Sequence, residues 1–146
     1  MKPEEMDGPL TYIAGPYSAG IIHCNVIRAI DVHHALMDAG VPSICPHLSH
    51  FSDTQRPRPY LDWMALDLRL VAACDVVLRM WGVSPGADQE VEHARTLGIP
   101  TVHVPRLIDL TCLGGVVRRT VQMRHWHYTG AQVAAMNNQQ PKEKTS

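Results

Sequence analysis

Four short apolar runs, Leu10–Ala14, Val41–Cys45, Asp75–Met80 and Thr101–Val104, constrain the fold of this chain more than any other feature. Each is the length of a buried strand, and each gives way to turn-forming residues: Gly15-Pro16, Pro46, Ser84-Pro85-Gly86 and Pro105. Between them run three stretches of helical periodicity. The first, from Ile21 to Ala39, turns Ile22, Val26, Ala29, Ile30, His33 and Met37 inward and stops at Gly40. The second, Leu61 to Ala73, presents Leu61, Met64, Ala65, Leu68 and Ala72. The third ends near Gly98 and presents Ala87, Val91, Ala94 and Leu97. Strands alternating with helices imply a parallel sheet covered on both faces. The expected class is therefore α/β, a flavodoxin- or Rossmann-like three-layer sandwich with a mostly parallel sheet of four to five strands.

The remaining segments carry weaker signals. Leu48 to Tyr60 is polar, contains Pro57 and Pro59, and reads as a surface loop with the make-up of a lid. Leu107 to Val121 reads as a helix interrupted at Gly114-Gly115, or as a loop and a helix serving a subunit contact. His125 to Tyr128 reads as an edge strand that puts His125 and His127 on one face. One domain over residues 1–136 and a frayed polar tail over 137–146 follow from the 146-residue length and the polar end.

Composition narrows the functional classes. A formal net charge of −1 provides no basic surplus for a nucleic-acid surface. The apolar runs are too short to span a bilayer, and the first eight residues lack a signal peptide's apolar centre. Cys24, Cys45, Cys74 and Cys112 are scattered without a C-x-x-C pair, as expected of reduced thiols in a cytoplasmic protein. His47, His50 and Asp53 match no tight metal-ligand spacing, and neither a metal nor a cofactor is expected.

Glu90 breaks the pattern of its helix. It lies three residues after Ala87 and four before Ala94, so a carboxylate sits in an apolar stripe just beyond a strand's carboxyl end. Burying it unpaired is costly. It is either salt-bridged across a helix start, where the dipole favours it, or it has chemistry to do. Gly15-Pro16-Tyr17-Ser18, His47 and the Trp81–Ala87 segment fall on the same rim, where open parallel sheets bind ligands. The Ser84-x-Gly86-Ala87 turn offers backbone N–H groups and small side chains that permit close approach. Trp81 is either a cover for an apolar ligand or packing. Asp67 and Asp62 occupy opposite flanks of the second helix, and periodicity does not choose between them.

Taken together, Tyr12-Ile-Ala-Gly-Pro-Tyr17-Ser18, Asp67-Leu-x-x-Val-x-x-Cys-Asp75-Val-Val, Ser84-x-Gly-Ala-x-x-Glu90-x-x-x-Ala94 and Gly98-Ile-Pro100 resemble the nucleoside 2-deoxyribosyltransferase superfamily, which includes nucleotide N-glycosidases. The resemblance covers about Leu10 to Val104. It implies that Glu90 is a nucleophile toward a sugar's anomeric carbon and that Asp67, rather than Asp62, assists the leaving base. Gly15, Pro16, Tyr17 and Ser18 would touch base and sugar. Ser84, Gly86 and Ala87 would line the sugar or phosphate side, and His47 would lie near the sugar. The implied substrate is a nucleoside or its 5′-monophosphate, and the implied assembly is a homodimer or larger homo-oligomer. The tail Gln139–Ser146 lacks the transferases' C-terminal segment, which favours hydrolysis over base exchange. Arg56, Arg58 and Ser18 are the candidate phosphate contacts. The competing expectation, from another class, is a nucleotide-sensing module that binds without turnover.

Overall fold

The structure, a computed structural model, describes residues 1–126, and the side chains of residues 1–123. It is an α/β three-layer sandwich of the flavodoxin/Rossmann-like kind. The strands are β1 (Thr11–Ala14), β2 (Ser43–Ile44), β3 (Val76–Arg79) and β4 (Thr101–His103), all parallel, in the order β2-β1-β3-β4. The helices are α1 (Ile22–Asp38), α2 (Ser49–Gln55), α3 (Tyr60–Val71), α4 (Pro85–Thr96) and α5 (Leu113–Trp126).

The two central strands are buried on both faces, so side-chain alternation sorts their residues into two cores. Ile13, Val76, Leu78 and Met80 join Val32 and Leu36 of α1 and Leu113 and Val117 of α5. Tyr12, Ala14 and Val77 join Val71 of α3 and Ala87 and Ala94 of α4. From β1 the chain moves outward to β2, then returns across the sheet to β3 and continues to β4. The order therefore reverses between β1 and β3, and a crevice opens beyond their carboxyl ends. Two glycines let these ends converge. A Cβ at Gly15 would sit 3.0 Å from the Met80 sulfur, and one at Gly82, where φ is +106°, would sit 2.9 Å from the Pro16 ring.

Several expectations need correction. Residues 49–55 form α2 rather than a loop, although the helix buries none of its residues. In α1 the buried stripe is Asn25, Val26, Ala29, Val32 and Leu36, and Ile22 is exposed. In α3 the buried residues are Met64 and Val71, whereas Leu61 is 74% exposed. Leu97 is exposed beyond the end of α4. For residues 107–121 the second reading, a loop and then a helix, holds: α5 starts at Leu113, so Gly114-Gly115 lie in its first turn, and Gly114 is where the helix crosses Ala39 at the end of α1, too close for a Cβ. His125 belongs to α5 rather than to an edge strand; His127, Tyr128 and the 137–146 tail lie outside the described residues.

Candidate functional site

The site is built on Tyr12. Strand alternation turns this side chain from β1 into the α3/α4 layer, where it is fully buried and its hydroxyl donates a 2.8 Å hydrogen bond to Glu90 Oε1. Glu90 is held by α4 between Ala87 and Ala94 and is only 5% exposed. Asp67 reaches the same place from α3. It falls three residues after Met64 and four before Val71, on the buried face of that helix and not on a flank. Asp62, the alternative, is exposed and faces Arg58 at 3.7 Å.

Electrostatics separate the three groups from ordinary surface residues. Burial, reinforced by the Asp67 carboxyl, raises Glu90 from 4.5 to about 8 against the opposing effects of the Tyr12 hydroxyl and Arg79. Burial raises Asp67 to about 6, again opposed by the Tyr12 hydroxyl. Burial and the two carboxyls push the Tyr12 phenol far above its usual range, so it remains a hydrogen-bond donor.

Above this triad is a cavity of about 560 Å³. Its walls include Gly15, Tyr17 and Ser18 after β1, His47 after β2, and Ser84, Gly86 and Ala87 at the start of α4. The sequence-predicted residues Glu90 and Asp67 line it as well. Two predicted residues do not. Trp81 packs against the core on the α1/α5 side, the same side as Met80, because the chain has left β3 at Arg79 and strand alternation no longer holds there. Pro16 contributes its carbonyl, which accepts 2.9 Å from His47 Nε2, and braces Gly82 with its ring. That bond makes Nε2 the protonated nitrogen of His47. Nδ1 is buried without a partner among the described residues, and burial lowers the imidazole's affinity for a second proton.

Local chemistry explains how the loops hold their places. Ser84 caps α4, its Oγ accepting from the Ala87 N–H at 3.2 Å while donating to the Gly15 carbonyl at 3.4 Å. One hydroxyl thus ties the β1 and β3 loops together. Arg79, 8% exposed, donates to the carbonyls of Met80 and Gly82 and to Asp88 Oδ1, fixing the β3–α4 connection from below. At the mouth, Asp53 Oδ1 of α2 accepts from Trp63 Nε1 at 2.7 Å and from the Arg58 backbone N–H at 3.0 Å. Tyr17 shares a 2.8 Å hydrogen bond with His50 Nδ1.

Sequence reasoning assigned no role to Tyr12, Asp53, Tyr60, Trp63 or Arg79. A tyrosine and an arginine inside otherwise apolar strands were the available signals for Tyr12 and Arg79. Among the described residues no group of three His, Cys, Asp or Glu side chains is placed to hold a metal ion. Nor is any helix there long and apolar enough to cross a membrane.

A family model described as a domain of unknown function, DUF7768, matches residues 9–104 of the 146. The chain belongs to this family. The DUF7768 match runs from just before β1 to just after β4 and contains Tyr12, Asp67 and Glu90. Comparison with curated proteins and with solved structures finds no match. The DUF7768 domain is thus the sheet, its crevice and the carboxyl pair beneath it.

Proposed function

We propose that the protein cleaves the N-glycosidic bond of a nucleoside or (deoxy)nucleoside 5′-monophosphate, with water as the preferred acceptor. The observation that carries this reading is the pair of raised carboxyls, Glu90 and Asp67, at the floor of a cavity at the β1/β3 switch point.

In the reactive form Glu90 is ionised and Asp67 holds the proton. Glu90 attacks the anomeric carbon, and the electron pair of the C–N bond leaves with the base as the base receives the Asp67 proton. The intermediate is a glycosyl ester on Glu90. Water, deprotonated by Asp67, then displaces the carboxylate and regenerates the site. Positive charge develops on the sugar between these steps, and a carboxylate in a water-poor pocket stabilises it strongly. The free pair carries one proton at neutral pH. The reactive form has the same net charge as the form protonated on Glu90 and differs by one proton transfer. The Tyr12 hydroxyl, 2.8 Å from Glu90 Oε1, favours the ionised form of either carboxyl and so keeps that transfer within reach.

The cavity also suits a flat base and a sugar, because Tyr17, Tyr60 and Trp63 line it beside polar Ser18, Ser49 and Gln89. Self-association belongs to the same reading: Leu107 is 94% exposed and Met123 65%, and sedimentation would measure the assembly.

The deciding experiment incubates the protein with a panel of nucleosides and monophosphates and follows free base by chromatography. Release that survives Glu90→Ala removes the nucleophile. Binding without release turns the reading toward a sensor. Addition of a second free base separates transfer from hydrolysis.

A further inference from the structure

We propose that the cavity selects an uncharged nucleoside over its 5′-monophosphate, and that Asp53 is a residue setting that preference. The inference rests on the glycosidic reading of the floor and names the charge class of its substrate.

Three carboxyl groups line the cavity: Asp67 and Glu90 below and Asp53 at the mouth. Among the described residues that line it there is no lysine or arginine. Two nearby guanidiniums in the sequence are engaged elsewhere. Arg58, expected from sequence to hold a phosphate, lies off the cavity wall and faces Asp62 at 3.7 Å. Arg79 is committed to Asp88 and to two backbone carbonyls. Arg56 does not line the cavity either.

The start of α4 is the other place where a phosphate might be held, since backbone N–H groups and the dipole favour anions there. Here its donors are mostly spent. Pro85 has no N–H, the Ala87 N–H goes to Ser84 Oγ, and the Asp88 N–H goes to the Ser84 carbonyl at 3.0 Å. Only the Gly86 N–H is left in the first turn, and Asp88 already places a carboxylate there.

Asp53 makes the rim negative. Its Oδ1 receives the Arg58 and Trp63 N–H groups, which favour the ionised form and hold its carboxyl below the usual range. A phosphate dianion entering past this group meets like charge, with no lysine or arginine on the cavity wall among the described residues to offset it. An uncharged sugar hydroxyl meets an acceptor. Discrimination of this kind comes from a repulsive element more than from an attractive one.

The test is calorimetric titration of the full chain with each nucleoside and with its 5′-monophosphate, at low and at high salt. Base release is measured in parallel. The monophosphate should bind at least about tenfold more weakly at low salt, with the gap narrowing as salt screens the rim. Asp53→Asn keeps an oxygen for both N–H donors while removing the charge, so it should narrow the gap too. The salt series in the unaltered protein stands even where that variant folds poorly. Equal or tighter monophosphate binding overturns the proposal, as does a gap indifferent to both salt and Asp53→Asn, or binding of neither ligand. Nucleoside binding without base release sinks the enzyme reading and leaves the charge preference. Preferred cleavage of the monophosphate does the reverse.

Discussion

Glu90 at the floor of the cavity and Asp53 at its mouth are both carboxylic acids, yet their protonation equilibria move in opposite directions. Glu90 is enclosed by α4, β1 and α3 and rises to about 8, because a charge there loses its water. Asp53 remains in contact with solvent and falls, because two N–H donors stabilise its charged form. The floor can hold and move a proton near neutral pH. The mouth carries a lasting negative charge. One fold thus gives one functional group two opposite protonation behaviours by varying burial and donors.

The most severe way to break this contrast is to delete the floor. Glu90→Ala should lower the rate of base release by at least about a thousandfold, with circular dichroism confirming the fold. Retained activity would end the floor's assignment. Asp67→Asn should cost about a hundredfold or more in kcat/KM, and the loss should be largest for bases that leave poorly. A uniform loss across leaving groups would make Asp67 a positioning residue instead.

The proton count gives a third test. In the proposed mechanism the reactive form carries one proton on the Glu90–Asp67 pair, so kcat/KM should be bell-shaped, with limbs near 6 and 8 that belong to the pair. A rate flat across that range would show that the pair does not titrate in the reaction.

Stability sharpens the comparison further. Glu90 binds its proton more tightly in the folded chain than in the unfolded one. Its contribution is therefore fully present below its ordinary 4.5 and is lost as pH rises toward about 8. Glu90→Gln removes this titration and retains an oxygen for Tyr12. Above pH 8 it should be more stable than the parent by on the order of 2 kcal/mol, with little difference near pH 5. Asp53 has the reverse sign. Its small contribution is present above its unfolded value and fades as pH falls through the folded one, so Asp53→Asn should slightly weaken the chain at neutral pH and hardly at all in acid. Thermal melts across pH measure both.

The floor was more legible in the sequence than the mouth. Glu90 announced itself through its spacing from Ala87 and Ala94, and the strands through short apolar runs closed by Gly and Pro. Asp67 did not, because α3 carries apolar residues almost all round: Leu61, Trp63, Met64, Leu66, Leu70 and Val71 leave its docking face ambiguous. Helix α2 was less visible still. Its sequence, Ser-His-Phe-Ser-Asp-Thr-Gln, has no apolar stripe, and a helix that buries nothing has no periodicity to read. Trp81 misled for a related reason, since its aromatic ring suits a pocket and a core equally well.

By itself the sequence determined the alternation of strand and helix, hence the parallel sheet, and put an acidic residue where its helix should be apolar. Those are local facts, carried by periods of two and 3.6 residues and by the turn chemistry of glycine and proline. Only the tertiary structure decided that Tyr12 meets Glu90 across 78 positions of chain, that Asp67 and not Asp62 shares their pocket, and that Asp53 lines the same cavity. Such contacts depend on which face of each helix settles on the sheet. That choice comes from packing the whole core at once.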